Sequence, residues 1–217
     1  MGETKKNSKA TSILKNNPLT SIVKGNIGII VVLIIMCVAV AFATDKFLTT
    51  NNIISVLRQI SINTYIALGM TLIIILGHID LSVGSIVAMS GTLTVGFIVN
   101  QGLPLGVAIA AGLLVGTAAG FISGFIVANF KVPAFIITMA MMNIASGIAY
   151  VYTGGQSTRI TNKLFIEIGT GYLFNVIPLP VVYMVVLIIV FSFILSKTKF
   201  GTYIYLSLIH ISEPTRH

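Results

Sequence analysis

The residues with the clearest chemical potential lie in one short segment, residues 77–85, which reads GHIDLSVGS. His78 and Asp80 are ionisable and lie between two apolar runs, where such groups are costly unless they face a cavity or a partner. Glycines near both ends of the segment permit an unwound backbone. Two interpretations stay open for Asp80, Ser82 and Ser85: they line a solute pathway, or they cap the helix that follows. His78 is a further pathway candidate, although a hydrogen-bonded polar residue is a simpler interpretation than a proton carrier.

A second pattern places a glycine at every fourth position of a later apolar run, at Gly112, Gly116, Gly120 and Gly124. This spacing puts all four glycines on one helix face. Another helix can then approach the backbone closely, which is how helices associate in lipid. The pattern predicts a close-packed helix interface. The alternative is a face that slides or rocks during transport.

Two further polar candidates lie in or after a later apolar run. Residues 153–158 read TGGQST and include Gln156, and Asn143 lies within the run that precedes them. The segment predicts either a polar lip at the external mouth of a pathway or a simple turn. Asn143 and Gln156 therefore join the candidate pathway or structural residues.

Sequence signatures of enzymes are missing from the chain. The sequence contains no Walker A motif, no GxSxG and no HExxH, so we expect no catalytic residue and no P-loop ATP hydrolysis here. The chain has one cysteine, Cys37, and no spacing typical of metal ligands. We therefore expect no internal disulfide and no metal site, and we interpret Cys37 as a packing residue.

The composition indicates which elements must position these residues. Of the 217 residues, 56% are hydrophobic and 8% are charged, against about 25% charged residues in a typical soluble domain. So few charges cannot cover a soluble surface, and intrinsic disorder would need the opposite balance. The sequence therefore predicts a membrane protein with several spans.

The predicted fold is an all-α, polytopic transmembrane helical bundle of about six spans, with a broken or re-entrant segment near residues 77–85. Residues 47–63 are amphipathic and predict a helix in the membrane interface. An alternative treats residues 53–76 as one tilted span and leaves the number of spans unchanged. The predicted spans are residues 27–43, 64–76, 86–99, 106–130, 134–152 and 181–195.

The charge distribution predicts the orientation. The chain has a net charge of +8, and residues 1–26 are rich in lysine, which predicts a cytoplasmic N-terminal tail. Alternating spans then place the larger share of Lys and Arg in cytoplasmic segments. A secretory signal also has a basic start, but its apolar region is only about 7–15 residues long, so we expect an uncleaved first span.

The last residues have a different character. Residues 206–217 read LSLIHISEPTRH and resemble the translated read-through of a sequencing-library adapter joined to a truncated gene. A genuine short polar tail is the alternative. We therefore expect a transmembrane domain at residues 27–205 that is incomplete, followed by a non-native tail at 206–217.

Three separated motifs resemble the permease subunits of bacterial ABC sugar importers of the ribose, xylose and galactoside type, in the superfamily of branched-chain amino acid permeases. They occupy residues 47–91, 131–156 and 197–205, so the resemblance covers nearly all of residues 47–205. The family usually reads GGIDLSVGS where this chain has His78. The family also continues beyond Tyr205 with the loop that faces the ATPase, which puts ATPase coupling of this chain in doubt.

The resemblance implies a transport subunit that is not an enzyme. It would form the pathway for a monosaccharide or related polar solute in the bacterial cytoplasmic (inner) membrane. Its expected partners are a second permease copy, a cytoplasmic ABC ATPase that carries the ATP and Mg, a periplasmic or lipid-anchored sugar-binding protein and the lipid bilayer. No cofactor in this chain and no nucleic acid are expected. A proton-coupled secondary transporter that uses His78 or Asp80, and a membrane scaffold without transport, stay open as alternatives.

Overall fold

The computed structural model describes residues 26–204, and this part of the chain is mainly helical. The predictions for the N-terminal tail up to residue 25 and for the tail at residues 206–217 lie outside the described residues. In chain order the elements are α1 Ile27–Ala43, α2 Thr50–Ile75, α3 Val83–Val99, α4 Leu105–Phe130, α5 Ala134–Thr153, α6 Lys163–Thr170, β1 Tyr172–Leu173, β2 Ile177–Pro178 and α7 Leu179–Lys197.

The helix lengths and compositions suit a bilayer. Within residues 26–204, four helices are long and apolar enough to cross a membrane, namely α2, α4, α5 and α7. The apolar helices α1 and α3 are shorter, at 17 residues each. The prediction of a mainly helical membrane fold is confirmed.

The chain divides into two compact units, residues 1–55 and residues 56–217. The described part of the first unit contains α1, where Cys37 is exposed although it was expected to pack against other residues. The second unit contains the rest of α2 and all later elements, and it holds every candidate residue.

Helix α2 is longer than predicted. It runs without interruption over 26 residues, so the single helix considered as an alternative is observed, and the prediction of a separate interfacial helix at residues 47–63 is wrong. Hydroxyls along α2, including that of Ser55 in the amphipathic stretch, bond to carbonyls one turn back within the helix. Ser61 Oγ donates to the Leu57 carbonyl at 2.8 Å and Thr64 Oγ1 to the Ile60 carbonyl at 2.8 Å. Such internal bonds satisfy polar groups without water.

Helices α3, α4 and α5 pack against one another and form what we call the three-helix unit. Its buried centre consists of Met89, Ala119, Met141 and Ala145. The connections between the helices are short, so neighbours run antiparallel. The N-termini of α3 and α5 and the C-terminus of α4 therefore share one end of the unit, and the C-termini of α3 and α5 share the other.

A small structured cap precedes α7, in a region where the sequence indicated only a polar stretch. Asn162 Oδ1 accepts a hydrogen bond from the Phe165 N–H at 3.1 Å and caps α6. Strands β1 and β2 then pair as a short antiparallel hairpin. Arg58 of α2 ties this cap down, because its Nη2 donates to the Thr170 carbonyl at 2.7 Å and its guanidinium carbon lies 5.0 Å from the Tyr172 ring centroid.

Candidate functional site

The segment at residues 77–85 is built around the Asp80 carboxylate. Asp80 Oδ1 accepts hydrogen bonds from the Ser82 backbone N–H at 2.7 Å and from Ser82 Oγ at 2.6 Å. Ser82 is fully buried and immediately precedes α3. The carboxylate therefore fixes a tight turn at the start of the helix. Aspartate side chains often form such turns by accepting a hydrogen bond from the backbone N–H two residues later.

The two serines bond elsewhere than the sequence predicted. Both were candidates to cap α3 with their side chains. Instead, the Ser82 hydroxyl donates to Asp80, and Ser85 Oγ lies 2.9 Å from Ser146 Oγ of α5. Because a hydroxyl both donates and accepts, the hydrogen bond between Ser85 and Ser146 links α3 to α5 where the two helices pack together.

His78 and Asp80 border an open groove of about 850 Å³, which we call the His78 groove. It lies at the end of the three-helix unit where α3 and α5 begin, and the last turn of α2 also contributes to it. His78 is exposed, whereas Asp80 is half-buried. The remaining lining is mostly apolar and comes from α4, α5 and their connection, as in Val127, Ala128, Val132 and Phe135.

The four regularly spaced glycines of α4 divide into two pairs. A Cβ at Gly112 would collide with the Thr94 hydroxyl of α3, and a Cβ at Gly116 would lie 3.5 Å from Ser90 Oγ. At Gly120 and Gly124 a Cβ would meet nothing within 4 Å, and both glycines line the His78 groove. The first pair thus faces α3, and the second pair leaves space for the groove.

A second open groove, of about 620 Å³, lies between α3 and α5 at the opposite end of the three-helix unit. We call it the Gln156 groove. Every residue that lines it is uncharged, and seven of the twelve carry a hydroxyl or an amide side chain. The lining is Ala88, Gly91, Thr92 and Val95 of α3, Ser146, Ala149, Tyr150 and Thr153 of α5, and Gly155, Gln156, Ser157 and Thr158 beyond it.

Two glycines turn the chain back over this groove. Gly154 and Gly155 have φ angles of +61° and +73°, which L residues with a side chain rarely adopt. The Gly155 N–H donates to the Tyr150 carbonyl at 3.1 Å, and the Gln156 N–H donates to the Thr153 carbonyl at 3.1 Å. The end of α5 is thereby closed, and Gln156 is brought to the groove.

Asn143 is not brought into either groove. It is exposed on α5, and its Nδ2 donates to the Met139 carbonyl of its own helix at 3.0 Å.

Sequence reasoning also missed the α3 side of the Gln156 groove. The sequence signal that could have found this wall is helical spacing. Small or uncharged residues recur at the interval of one helix face, at Ala88, Gly91, Thr92 and Val95.

Among residues 26–204, His, Cys, Asp and Glu side chains form no group of three that could hold a metal ion. The linings of the two grooves offer hydrogen bonds and apolar contacts. The Gln156 groove is lined from α3, α5 and the turn after α5, whereas the His78 groove is lined from the end of α2, the segment before α3, α4 and α5.

The comparison with known families decides the class of the protein. The family described as the branched-chain amino acid transport system permease component matches residues 52–207. This chain belongs to that family. The resemblance inferred from the three sequence motifs is thereby confirmed. With its apolar helices, the chain is a multi-pass membrane protein of the bacterial inner membrane.

Individual relatives in this permease family are named as sugar permeases. The ribose import permease of Haemophilus influenzae is 42% identical over 179 residues, which is 81% of this chain and 55% of that protein. The ribose import permease of Escherichia coli K12 is 38% identical over 180 residues, covering 81% and 56%. The L-arabinose permease of Azospirillum brasilense is 34% identical over 175 residues, covering 80% and 51%.

The chain thus spans about half the length of the curated relatives it matches. No solved structure matches it.

Proposed function

We propose that this chain is a transmembrane permease subunit of an ATP-binding-cassette importer and forms part of the pathway for a monosaccharide or a related polar solute. One observation carries the proposal: the permease family match extends over residues 52–207, and the relatives within it are named for ribose and arabinose import. The apolar helices that suit a bilayer support the same function.

The chemistry of the Gln156 groove supports a neutral solute. Its uncharged lining of hydroxyl and amide groups matches the donors and acceptors of a sugar. Transport requires only that affinity differ between outward- and inward-facing states, so the subunit needs no catalytic group. ATP hydrolysis, with its ATP and Mg, is assigned to a separate subunit, and no cofactor is assigned to this chain.

We further propose six spans, with α1 and α3 crossing the membrane as well. A 17-residue helix is about 26 Å long at 1.5 Å per residue, close to the thickness of the hydrocarbon core. Helix α3 also packs along α4, which is long enough to cross. The non-helical stretch before α3 would then be a break between two membrane helices that the His78 groove keeps accessible to water.

The orientation and partners follow from this arrangement. A cytoplasmic N-terminus, with the permease domain at residues 27–205, places the His78 groove on the cytoplasmic side beside Lys131 and the Gln156 groove on the external side. An ABC ATPase would act at the first end, and a sugar-binding protein would deliver solute at the second. A second permease copy is expected to complete the pathway as a homodimer.

The local bonds of Asp80 support a positioning role over proton coupling. Its Oδ1 accepts two hydrogen bonds from Ser82, and these bonds hold the turn before α3. We therefore assign Asp80 and Ser82 to holding the start of α3. The glycine pair Gly112 and Gly116 is assigned to holding α3 against α4.

The test is deletion of the chromosomal gene that encodes this chain, followed by uptake of radiolabelled D-ribose, L-arabinose and L-leucine. Uptake of one pentose should disappear and return when the gene is restored. It should be abolished by vanadate, which blocks ABC ATPases, and survive a protonophore that abolishes proton-coupled uptake. Loss on adding the protonophore alone would indicate a secondary transporter. Unchanged uptake of every sugar would contradict the proposal and favour a scaffold.

A further inference from the structure

We propose that the Gln156 groove is a binding site for a neutral monosaccharide in which the Tyr150 ring is the platform for the sugar. The hydroxyls of Thr92 on α3 and Ser146 on α5 would hydrogen-bond the sugar from the two walls. The proposal rests on the proposed function for the class of solute, and it adds where in this chain the solute is held and which residue selects it.

Tyr150 is an exposed aromatic ring that lies close to the turn after α5. Its side chain is 69% exposed and lines the groove. A Cβ built on Gly155 would lie 3.0 Å from the ring carbon Cε2 and 3.1 Å from the hydroxyl oxygen, so the turn reaches the ring only because residue 155 is glycine. A tyrosine side chain has only two rotatable χ angles, so it loses little conformational entropy when a ligand binds.

The walls of the groove provide the complementary polar groups. Ser146 Oγ is engaged with Ser85 Oγ at 2.9 Å, and a hydroxyl has one donor and two acceptor positions, so capacity for a further bond remains. Thr92 lies on the facing helix. The volume of about 620 Å³ lies within the range of about 300–1,000 Å³ that is usual for small-molecule pockets.

The absence of charge from this lining bears on the kind of solute. A free amino acid carries a carboxylate and an ammonium group, each of which is costly to bury without a charged or strongly polar partner. A monosaccharide has hydroxyls at its edges and C–H groups on its faces, and a tyrosine combines an apolar ring face with a polar tip. The groove therefore favours a pentose over a branched-chain amino acid.

The competing explanation for Tyr150 is an aromatic residue at the lipid–water interface, where tyrosines are common in membrane proteins. Such a residue would contribute to membrane anchoring and be indifferent to sugar. The two explanations differ in what happens when the ring is replaced, and this difference can be measured.

The first experiment uses the purified chain in lipid nanodiscs and a cysteine reporter. Cys37 is changed to serine, and Thr158→Cys places a thiol in the groove lining. A membrane-impermeant thiol reagent is then added with increasing D-ribose or L-arabinose. One pentose should slow labelling at Thr158→Cys, whereas L-leucine should not. Thr161→Cys, at an exposed position three residues further along and outside the groove, should be unaffected by either solute.

The second experiment repeats the protection measurement in ring variants. In Tyr150→Phe, the sugar concentration that gives half-maximal protection should stay within about twofold of the parent value. In Tyr150→Leu, this concentration should rise roughly fivefold or more, which is the expected effect of losing one aromatic contact. Tyr203→Leu is the matched control, because Tyr203 is 70% exposed and lies outside the groove. Equal protection in Tyr150→Leu and the parent would overturn the platform role and favour the interfacial explanation.

A pair of glycine variants tests how the ring is positioned. Gly154 and Gly155 both have positive φ, so alanine is strained at either position. Only at Gly155 would the added Cβ meet the Tyr150 ring, because nothing lies within 4 Å of one at Gly154. Gly155→Ala should therefore weaken sugar protection more than Gly154→Ala does. Equal effects would show that the ring is not positioned by this contact.

The two proposals can fail separately. If gene deletion abolishes pentose uptake but neither pentose protects Thr158→Cys, the groove proposal is wrong and the transport function stands. If deletion leaves uptake unchanged while a pentose protects the thiol, the transport function is wrong and the groove still binds sugar. Protection by L-leucine instead of a pentose would overturn the assignment of the solute class.

Discussion

Replacing Gly112 by alanine is expected to loosen the packing of α3 on α4. The added Cβ would collide with the Thr94 hydroxyl and lie 3.1 Å from the Ser90 backbone oxygen. It would also press on the place where Ser90 Oγ donates to the Gly112 carbonyl at 2.6 Å. The helices can relieve these contacts only by separating or by rotating the Thr94 side chain away from its own bond to the Ser90 carbonyl.

The expected magnitude follows from three terms. Overpacking of a close contact costs about 1–3 kcal/mol, and a hydrogen bond between membrane helices contributes about 0.6 kcal/mol. The exchange of glycine for alanine returns up to about 1 kcal/mol of helix propensity. The net loss in the free energy of unfolding is therefore about 1–3 kcal/mol.

Gly120→Ala is the matched control on the same helix. A Cβ at Gly120 would meet nothing within 4 Å, so only the propensity term remains and this variant should be neutral or slightly more stable. Both variants are compared by reversible unfolding of the purified chain in mixed micelles, with the detergent fraction at the midpoint as the measure. Equal midpoints for the two variants would refute the reasoning.

A third variant tests the cause of the loss. Thr94→Ala removes the hydroxyl that the new Cβ meets, so in the double variant with Gly112→Ala part of the lost stability should return. The coupling between the two substitutions is read from a double-mutant cycle. Strictly additive effects would mean that Thr94 is not the obstacle.

Three further outcomes are expected. Asp80→Asn keeps an oxygen that can accept the two local hydrogen bonds, so it should retain more sugar uptake than Asp80→Leu when each replaces the chromosomal gene; normal uptake by the leucine variant would remove any role for this turn. Arg58→Gln removes the charged donor to the Thr170 carbonyl and should lower the free energy of unfolding by about 1–3 kcal/mol, whereas an unchanged midpoint would show that the cap does not depend on it. Ser146→Ala should cost only about 0.6 kcal/mol in the same unfolding assay, because one hydroxyl pair with Ser85 is lost, and a cost several times larger would indicate a wider network.

Several parts of the fold could be predicted from local patterns. Helix α1 has the predicted bounds, and α4 and α5 differ from prediction by one residue at one end. Each is an apolar run limited by residues that stop a helix or favour water. At the α4–α5 connection, for example, Lys131 adopts a left-handed conformation with φ of +53° and Pro133 directly precedes α5. Such signals are read within a few residues of the boundary.

Other parts depended on partners distant in the chain. The hydroxyls of Ser85 and Ser146 are 61 residues apart in sequence and bond to each other across a helix seam. Arg58 and the Thr170 carbonyl are 112 residues apart. The sequence indicates that a hydroxyl or a guanidinium in an apolar helix needs a hydrogen-bond partner. Which of the many possible partners it meets depends on how the helices pack.

The glycines of α4 show most clearly which features the sequence determines and which only the packing decides. Their four-residue spacing by itself determined that they share one helix face, because the period of the α-helix is a local property. Only the packing of α3 on α4 decided that Gly112 and Gly116 meet a neighbouring helix while Gly120 and Gly124 open onto the His78 groove. In the same way, composition alone determined a membrane protein, whereas each groove exists only because helices separated in sequence meet at particular residues and leave space between them.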